Sequence, residues 1–393
     1  MIRPVVRLGP GQGRRVRSGA PWVFSNEIAM TPEARGLEPG SLVRLEGDDG
    51  VRFGVAMFNP HSLIAARVLD RDPEAEIEGP WLRARLREAV GLRERFFDRP
   101  FYRLVHAEGD RLPGLVVDRY GDVLVVQANT TGMERLMPEV LAALVAEFGA
   151  RAVVARNDSG ARRLEGLEEK VETLHGEVGE AEVEEGSVRF PVDPMAGQKT
   201  GWFFDQRFNR DLVAGLAAGG RVLDVFCHSG GFGVRCAAAG AERAVLVDSS
   251  VPALAQAARA AALNGVGGKV ETRHEDAFEA MAALAYGGEQ FDIVICDPPA
   301  FARSRKDAEA GLRAYARMAR LAAALVAPGG FLFVASCSYH APLEAWSARI
   351  AEGLHRARRE GRIVATAGAG PDHPVHPQLP ETAYLKAQLI QIL

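Results

Sequence analysis

The chain has 393 residues, which is enough for two or three domains that each bury a core. Its 47% hydrophobic and 25% charged residues are typical of a soluble globular protein. The sequence contains neither a membrane-spanning run of ~18 apolar residues nor the apolar core of a signal peptide. We therefore expect a cytoplasmic protein without a membrane partner. The net charge of −4 gives no indication of nucleic-acid binding from bulk charge.

Residues 1–72 predict a small β-barrel. Short strands at 22–24, 41–45, 51–58 and 63–69 are separated by turn-forming sequences. The first 20 residues carry five arginines and no acid, which could meet phosphates, although this chain uses arginine almost everywhere, with five lysines among 47 basic residues. The segments P-W-V-F-S-N-E-I, P-G-S-L-V-R-L and F-G-V-A-M-F-N-P resemble a PUA domain, an RNA-binding pseudo-barrel.

Residues 73–185 predict a middle α+β domain without an obvious catalytic group. The predicted elements are helices at 81–97 and 133–148 and strands at 114–118, 123–127 and 152–155. The acidic run 177–185 is most simply a solvated hairpin or linker.

From residue 186 to 393, strands alternate with helices, which is typical of an α/β, doubly wound Rossmann-like sheet. Strands are predicted at 221–226, 243–247, 270–273, 291–296, 331–335 and 384–393, with helices at 251–263 and 308–326, the latter closed by Pro328-Gly329-Gly330. Because parallel strands end at one edge of such a sheet, we expect the chemistry there.

Three aspartates follow successive predicted strands. Asp224 precedes the glycine-rich turn 227–233, where helix N–H groups face a ligand, and its carboxylate suits an amino group such as that of S-adenosylmethionine. Asp248 ends the next strand, where Rossmann-like sheets hold ribose hydroxyls, and Asp276 could accept from an adenine amino group. Each alone is more simply a turn or helix-cap residue, but three in one crevice indicate a binding site.

The segment 197–207 precedes the first of these strands and concentrates polar and aromatic groups. Packing of a cap helix would account for Phe203 and Phe204. The segment also resembles the extra motif with which some RNA methyltransferases cover the methyl donor.

Four cysteines without a C-x-x-C pair argue against a disulfide framework or a zinc site, so no metal is expected. Cys337 follows the predicted strand 331–335, and Asp297 follows 291–296. A thiolate that adds to C6 of a cytosine activates C5 as a nucleophile toward a sulfonium methyl, and a carboxylic acid at the ring edge neutralises the charge that spreads onto the ring. Cys337 and Asp297 fit these two roles.

The motifs Q-K-T-G-W-F-F-D-Q-R, D-x-F-x-x-S-G-G-F, D-P-P-A-F and S-C-S resemble the bacterial rRNA large subunit methyltransferase I family over nearly the whole chain. The resemblance implies a PUA-like start, a middle α+β domain, a class I methyltransferase domain, and formation of 5-methylcytosine in 23S rRNA from S-adenosylmethionine. It implies Cys337 as the nucleophile and Asp297 as the acid. We place cofactor contacts at Lys199, Thr200, Phe203, Gln206, Asp224, Phe226, Ser229, Gly230, Asp248, Ser249, Asp276, Ala277 and Asp297, and substrate contacts at Pro298, Pro299, Phe301 and Lys306.

One position departs from other 5-methylcytosine enzymes. The tRNA and 16S enzymes often carry a second cysteine that assists product release, and this chain has Ala300 there. Cys296 should point to the opposite side, into the core. Phe301 could stack on an extruded cytosine, although core packing explains it nearly as well.

Three other functions stay open. A methyltransferase acting on an exocyclic amine such as guanine N2 also uses a D-P-P turn but has no need of Cys337. A non-catalytic RNA-binding ribosome assembly factor would keep the fold without the reaction. A NAD-dependent dehydrogenase is disfavoured because G-x-G-x-x-G is absent. The sequence also leaves a homodimer open.

Overall fold

The computed structural model describes residues 3–197 and 200–393. Tertiary contacts divide the chain into two units. Unit 1 comprises Met1–Ala181, Val192–Phe204 and Pro371–Thr382, and unit 2 comprises Glu182–Pro191, Asp205–Gly370 and Ala383–Leu393. The predicted three-domain division, with boundaries near residues 72 and 185, stays a prediction. Among the described residues, no helix is both long and apolar enough to cross a membrane.

The N-terminal part of unit 1 is a five-stranded sheet with the order β1-β3-β4-β5-β2, in which β1 pairs with β3 in parallel. Alternating apolar residues of these strands form a core of their own. The elements are β1 (Val5–Arg7), α1 (Arg14–Arg17), β2 (Trp22–Val23), α2 (Pro32–Arg35), β3 (Ser41–Glu46), β4 (Arg52–Phe58) and β5 (Ala66–Asp70).

The remainder of unit 1 contains a second five-stranded sheet, with the order β10-β9-β8-β7-β6, covered by α3 and α5. The predicted helix 133–148 is two helices, because Pro138 lacks the N–H that a helix interior needs and is accepted in the first turn of a new helix. The elements are α3 (Gly79–Arg93), β6 (Phe101–His106), β7 (Leu115–Tyr120), β8 (Val123–Ala128), α4 (Thr131–Arg135), α5 (Met137–Phe148), β9 (Ala152–Asn157), α6 (Gly160–Leu164) and β10 (Lys170–Gly176).

Unit 2 contains a seven-stranded sheet with the order β15-β14-β13-β16-β17-β19-β18. Strands β13 to β17 pair in parallel, and β19 runs antiparallel to both of its neighbours. This mixed α/β sheet confirms the predicted Rossmann-like class. Its strands are β13 (Arg221–Val225), β14 (Arg243–Asp248), β15 (Val270–His274), β16 (Phe291–Cys296), β17 (Val326–Ser336), β18 (Gly361–Ala367) and β19 (Lys386–Ile392).

Helices pack on the strands of unit 2 and bury a core rich in alanine and branched residues. Helix α9 coincides with its prediction, and Pro328-Gly329-Gly330 lies in an irregular stretch of β17 directly after α11. The helices are α7 (Arg207–Ala214), α8 (Gly231–Ala238), α9 (Val251–Leu263), α10 (Ala277–Tyr286), α11 (Ala308–Leu325) and α12 (Leu343–Arg356). Short 3-10 turns occur at Ser25–Glu27, Ala107–Asp110, Phe204–Gln206, Gly267–Lys269 and Pro380–Thr382.

The acidic run 177–185 is not fully solvated, which corrects the expectation. Its end forms β11 (Ala181–Glu185), which pairs with β12 (Val188–Val192). Glu185 is 1% exposed, and its carboxylate accepts hydrogen bonds from Arg210, with Arg207 3.5 Å away. The arginines come from α7, so the burial of this carboxylate depends on partners distant in sequence.

Candidate active site

The strand order of unit 2 brings the predicted site residues that follow its parallel strands to one sheet edge. Strands β15, β14, β13, β16 and β17 lie side by side and parallel, so their carboxyl ends share that edge. The chain order of these strands reverses between β13 and β16, where ligands of open α/β sheets bind. In this spatial order the strand ends carry Asp276, Asp248, Asp224, Asp297 and Cys337.

The turn between β13 and α8 has an unusual backbone. Phe226 and His228 have φ values of 62° and 48°, a left-handed conformation that costs energy in residues other than glycine. Gly230 follows with φ 78°, and a Cβ there would lie 2.9 Å from side-chain carbons of Ala257 and Leu246. The turn therefore contains two strained residues, and close packing leaves no room for a side chain at Gly230. Ser229 lies buried within it.

Asp224 is a buried carboxyl, 1% exposed, whose Oδ2 accepts the Gly233 N–H at 2.8 Å. Burial raises the pKa of Asp224 to about 8. The negative charges of Asp297 and Asp248 contribute to this rise, whereas the Gly233 N–H and Arg210 act to lower the pKa. The sheet edge therefore contains a carboxyl group that a bound cation would help to ionise.

Backbone N–H groups orient the other two aspartates. Asp248 accepts from the N–H of His228 and from that of Ser250, each at 2.8 Å. Asp276 is exposed and caps α10, with Oδ1 accepting the N–H groups of Phe278 and Glu279 at 2.9 and 3.1 Å. Asp276 therefore has the helix-capping role that the sequence analysis gave as the simpler alternative. Its contact with a cofactor stays a prediction.

Aromatic rings cluster beside these carboxylates. The ring centroids of Phe226, Phe278 and Phe301 lie 6.1–6.2 Å from one another, and Phe301 also lies 4.8 Å from Tyr315. Phe301 is half-buried against the core, which fits the core-packing alternative for this residue, and base stacking stays a prediction. Ala277 is buried and Ser249 is exposed.

The loop that carries Cys337 is held by the two serines beside it. Ser336 and Ser338 are fully buried, whereas Cys337 is half-buried. Ser336 Oγ donates to Tyr315 Oη at 2.8 Å, and Ser338 Oγ lies 2.9 Å from the same oxygen. Ser338 Oγ also accepts the N–H of Ala302 at 3.1 Å. The loops after β16 and β17 are therefore joined by a direct hydrogen bond.

The other three cysteines belong to the interior. Cys227, Cys236 and Cys296 are 6%, 0% and 0% exposed, and burial raises the pKa of each thiol. The predicted burial of Cys296 is confirmed. A buried thiol with a raised pKa is a poor nucleophile, so the half-buried Cys337 is the cysteine best placed to react.

Exposed basic residues follow the D-P-P-A-F turn. Pro298 is buried and Pro299 is exposed at the turn itself. Beyond it the side chains of Arg303, Arg305 and Lys306 are exposed, and on α11 those of Arg313 and Arg320. Within residues 3–197 and 200–393, no ion pair involves any of these five side chains. Most other exposed arginines are paired, as Arg87 is with Glu147.

The upstream motif is divided between the two units. Lys199 lies outside the described residues. Thr200 is buried in unit 1, where its hydroxyl donates to Asp118, and Phe203 is half-buried in the same unit. Gln206 is buried in unit 2 and accepts from Asn209 at 2.6 Å. Cofactor contacts at these positions stay predictions.

Sequence reasoning did not identify Tyr315, the two buried serines as supports, or Lys386. Lys386 Nζ donates to the Ser338 carbonyl oxygen at 2.8 Å. Two features of the sequence could have drawn attention to these residues: the serines on both sides of Cys337, and the rarity of lysine, which makes Lys386 unusual.

Comparisons with known proteins agree with this architecture. Residues 6–71 match the PUA-like domain family, and residues 127–366 match the family of S-adenosylmethionine-dependent methyltransferases. The chain is 34% identical to ribosomal RNA large subunit methyltransferase I of Shewanella denitrificans over 98% of this chain and 99% of that protein. It is also 34% identical to a ribosomal RNA large subunit methyltransferase of Deinococcus radiodurans, over 98% and 97% of the two chains.

One solved structure has the same fold along its whole length. The structure of SMU.776, crystallised as a complex with SAH, aligns over 100% of both chains with a TM-score of 0.83 and 19% identity.

Proposed function

The chain belongs to the ribosomal RNA large subunit methyltransferase I family of S-adenosylmethionine-dependent methyltransferases, and we propose that it methylates C5 of a cytosine in 23S rRNA. The observation that carries this proposal is the joined pair of loops after β16 and β17. They present the half-buried thiol of Cys337 and the carboxyl of Asp297 from adjacent strands. Methylation of an exocyclic amine would give no role to this thiol.

The acidic sheet edge fits a cationic methyl donor. S-adenosylmethionine carries an ammonium group and, when bound, supplies a methyl group on a positively charged sulfur. Asp224 is buried, its pKa is raised to about 8, and it interacts with the charges of Asp297 and Asp248. We assign Asp224 and the turn 227–233 to the amino-acid part of the donor, Asp248 to the ribose, and Asp276 to the adenine.

Cys337 acts as the nucleophile in this proposal. The thiolate sulfur bonds to C6 of the cytosine, and the electron pair of the C5–C6 double bond moves so that C5 takes the methyl group. Asp297 shares a proton with the ring edge, which neutralises the charge that develops there. Loss of the C5 proton to a base then restores the double bond and expels the thiolate.

Binding of RNA is supported by unpaired positive charge. Arg303, Arg305 and Lys306 lie on the loop that is hydrogen-bonded to Ser338, and Arg313 and Arg320 lie on the helix that follows this loop. An exposed cation without an acidic partner is available to contact phosphate, and such contacts release counterions. The PUA-like domain supplies a second surface for RNA in this proposal.

A paired set of variants tests the function. Cys337→Ala should abolish methylation of rRNA extracted from cells without the enzyme, whereas Cys296→Ala, a change in the core, should keep it if the protein folds. Mass spectrometry of the digested RNA identifies the modified base. An RNA with 5-fluorocytosine should give a covalent complex with the native protein that survives denaturation, since the C5 fluorine cannot leave as a proton.

The outcomes separate the alternative functions. Methylation of guanine that survives Cys337→Ala would instead indicate exocyclic-amine chemistry. RNA binding without any S-adenosylmethionine binding in calorimetry would indicate a non-catalytic assembly factor. The cytoplasmic location and the homodimer remain predictions, and sedimentation would decide the second.

A further inference from the structure

Lys386 is fixed at the strand end that carries Cys337. It is the first residue of β19 and lies opposite Ser336 in the antiparallel pair of β17 and β19. Its Nζ donates to the carbonyl oxygen of Ser338 at 2.8 Å and to that of Tyr384 at 3.4 Å. Two backbone carbonyls therefore hold this ammonium group beside the S-C-S loop.

The charge of Lys386 has no acidic partner among the described residues. In the described part of the chain, no carboxylate forms an ion pair with Lys386, and the side chain is half-buried. Burial lowers the pKa of Lys386, and the negative charge of Cys337 acts in the opposite direction. This interaction is reciprocal, because an ammonium that a thiolate stabilises must also stabilise the thiolate.

We propose that Lys386 is a positioning residue that favours the thiolate form of Cys337 by its charge and holds the loop through the Ser338 carbonyl. Cysteine nucleophiles are commonly activated by a neighbouring cation. The inference rests on the proposed function in taking Cys337 as the attacking group. It adds a residue some 50 positions away in sequence, on β19, which lies on the other side of β17 from the strand that leads to Asp297.

Other titratable groups also influence this thiol. Burial raises the pKa of Tyr315, so its hydroxyl stays neutral near pH 7. An ionised Asp297, at the end of the adjacent strand, would disfavour the thiolate form of Cys337. Tyr339 and His340 lie on the same loop, and Tyr384, which precedes β19, donates a hydrogen bond of 2.5 Å to Asp205.

The pH dependence of alkylation by iodoacetamide measures the thiolate directly. Cys227, Cys236 and Cys296 are buried with raised pKa values, so the folded protein should react at Cys337, and peptide mass spectrometry verifies the site. Lys386→Gln removes the charge but keeps a hydrogen-bond donor. Lys386→Arg keeps the charge, and Lys269→Gln removes an exposed lysine elsewhere.

We expect Lys386→Gln to move the midpoint of alkylation upward by roughly one pH unit, which slows the reaction at pH 7 about tenfold. Lys386→Arg and Lys269→Gln should keep the native midpoint. Lys386→Met is a second uncharged side chain if the glutamine variant does not fold. A midpoint unchanged in the uncharged variants, or shifted equally in Lys386→Arg, overturns the proposal.

The same measurement separates this inference from the proposed function. Alkylation does not require RNA or a methyl donor, so the shift is observed or absent whether or not cytosine is the substrate. If Cys337→Ala still methylates RNA while Lys386→Gln shifts the midpoint, the cytosine-C5 function fails and the role of Lys386 in thiol ionisation stands.

Discussion

Ser338 and Tyr315 share a hydrogen bond of 2.9 Å between their side-chain oxygens, and both side chains are buried. Tyr315 lies on α11, whereas Ser338 follows β17. Because Ser338 also accepts the N–H of Ala302, one hydroxyl connects a helix and two loops of the sheet edge. The position of Cys337 therefore depends on its neighbour Ser338 and on Tyr315, which lies some 20 residues earlier in the chain.

Ser338→Ala should lower the rate of methylation more than it lowers donor binding. The substitution leaves the buried N–H of Ala302 without its acceptor, which costs about 1–3 kcal/mol of folding free energy. Stability from urea unfolding and kcat with saturating S-adenosylmethionine check both effects. Ser304→Ala is the matched control, since Ser304 lies on the same loop as Ala302 and its hydroxyl donates to Asp307 at the surface. Equal kcat values for Ser338→Ala and the control would contradict the positioning role.

Much of the fold was predictable because the signals were local. Helix α9 begins and ends as predicted, since its cap and alanine-rich face are contiguous in sequence. The strand ends that carry Asp224, Asp248 and Cys337 were also located from apolar runs. By contrast, β18 exposes most of its residues and has no burial pattern to recognise.

The supports of the site could not be read from local patterns. Lys386 contacts Ser338 across 48 positions, and Glu185 meets Arg210 across 25. Side-chain pairs of this kind depend on which strands become neighbours, and β19 inserts antiparallel between β17 and β18. The sequence predicted candidate residues for the chemistry but not the residues that hold them in place.

Donor binding should release a proton near pH 7. The pKa of Asp224 is raised to about 8, so this carboxyl is largely protonated at pH 7 in the free protein. A bound cation favours the ionised form, and affinity for S-adenosylmethionine should therefore rise with pH up to about 8 and then level off. Calorimetry in buffers of different ionisation enthalpy measures the released proton.

Asp224→Asn should abolish this proton release and weaken donor binding, because the ionisable group is lost. Asp276→Asn is the control, since Asp276 is exposed and its change should leave the proton release intact. Affinity of the native protein that stays constant from pH 6 to pH 8 would show that Asp224 does not contact the cation.

Charge removal after the D-P-P-A-F turn should weaken RNA binding in a salt-dependent way. Substitution of Arg303, Arg305 and Lys306 by glutamine removes three exposed cations. If each contacts a phosphate, the slope of log affinity against log salt should become shallower by about 2. Fluorescence anisotropy with an rRNA fragment measures it.

The control for this triple variant removes three exposed arginines that have carboxylate partners: Arg87, Arg151 and Arg243. These side chains are less available to phosphate, so the salt slope should stay close to the native value. Equal slopes for the two triple variants would place the RNA on another surface.

Glu185→Ala should destabilise unit 2 strongly. Glu185 is 1% exposed and accepts from Arg210 at 2.7 Å, and Arg207 lies within 3.5 Å. Removing the carboxylate leaves buried guanidinium charge without that partner, which typically costs about 3–5 kcal/mol. The free energy of unfolding in urea measures the loss.

Glu182→Ala is the control from the same strand, because Glu182 pairs with Arg189 at 3.6 Å near the surface and should change stability by about 1 kcal/mol or less. Equal losses in the two variants would mean that Glu185 contributes no more than a surface ion pair.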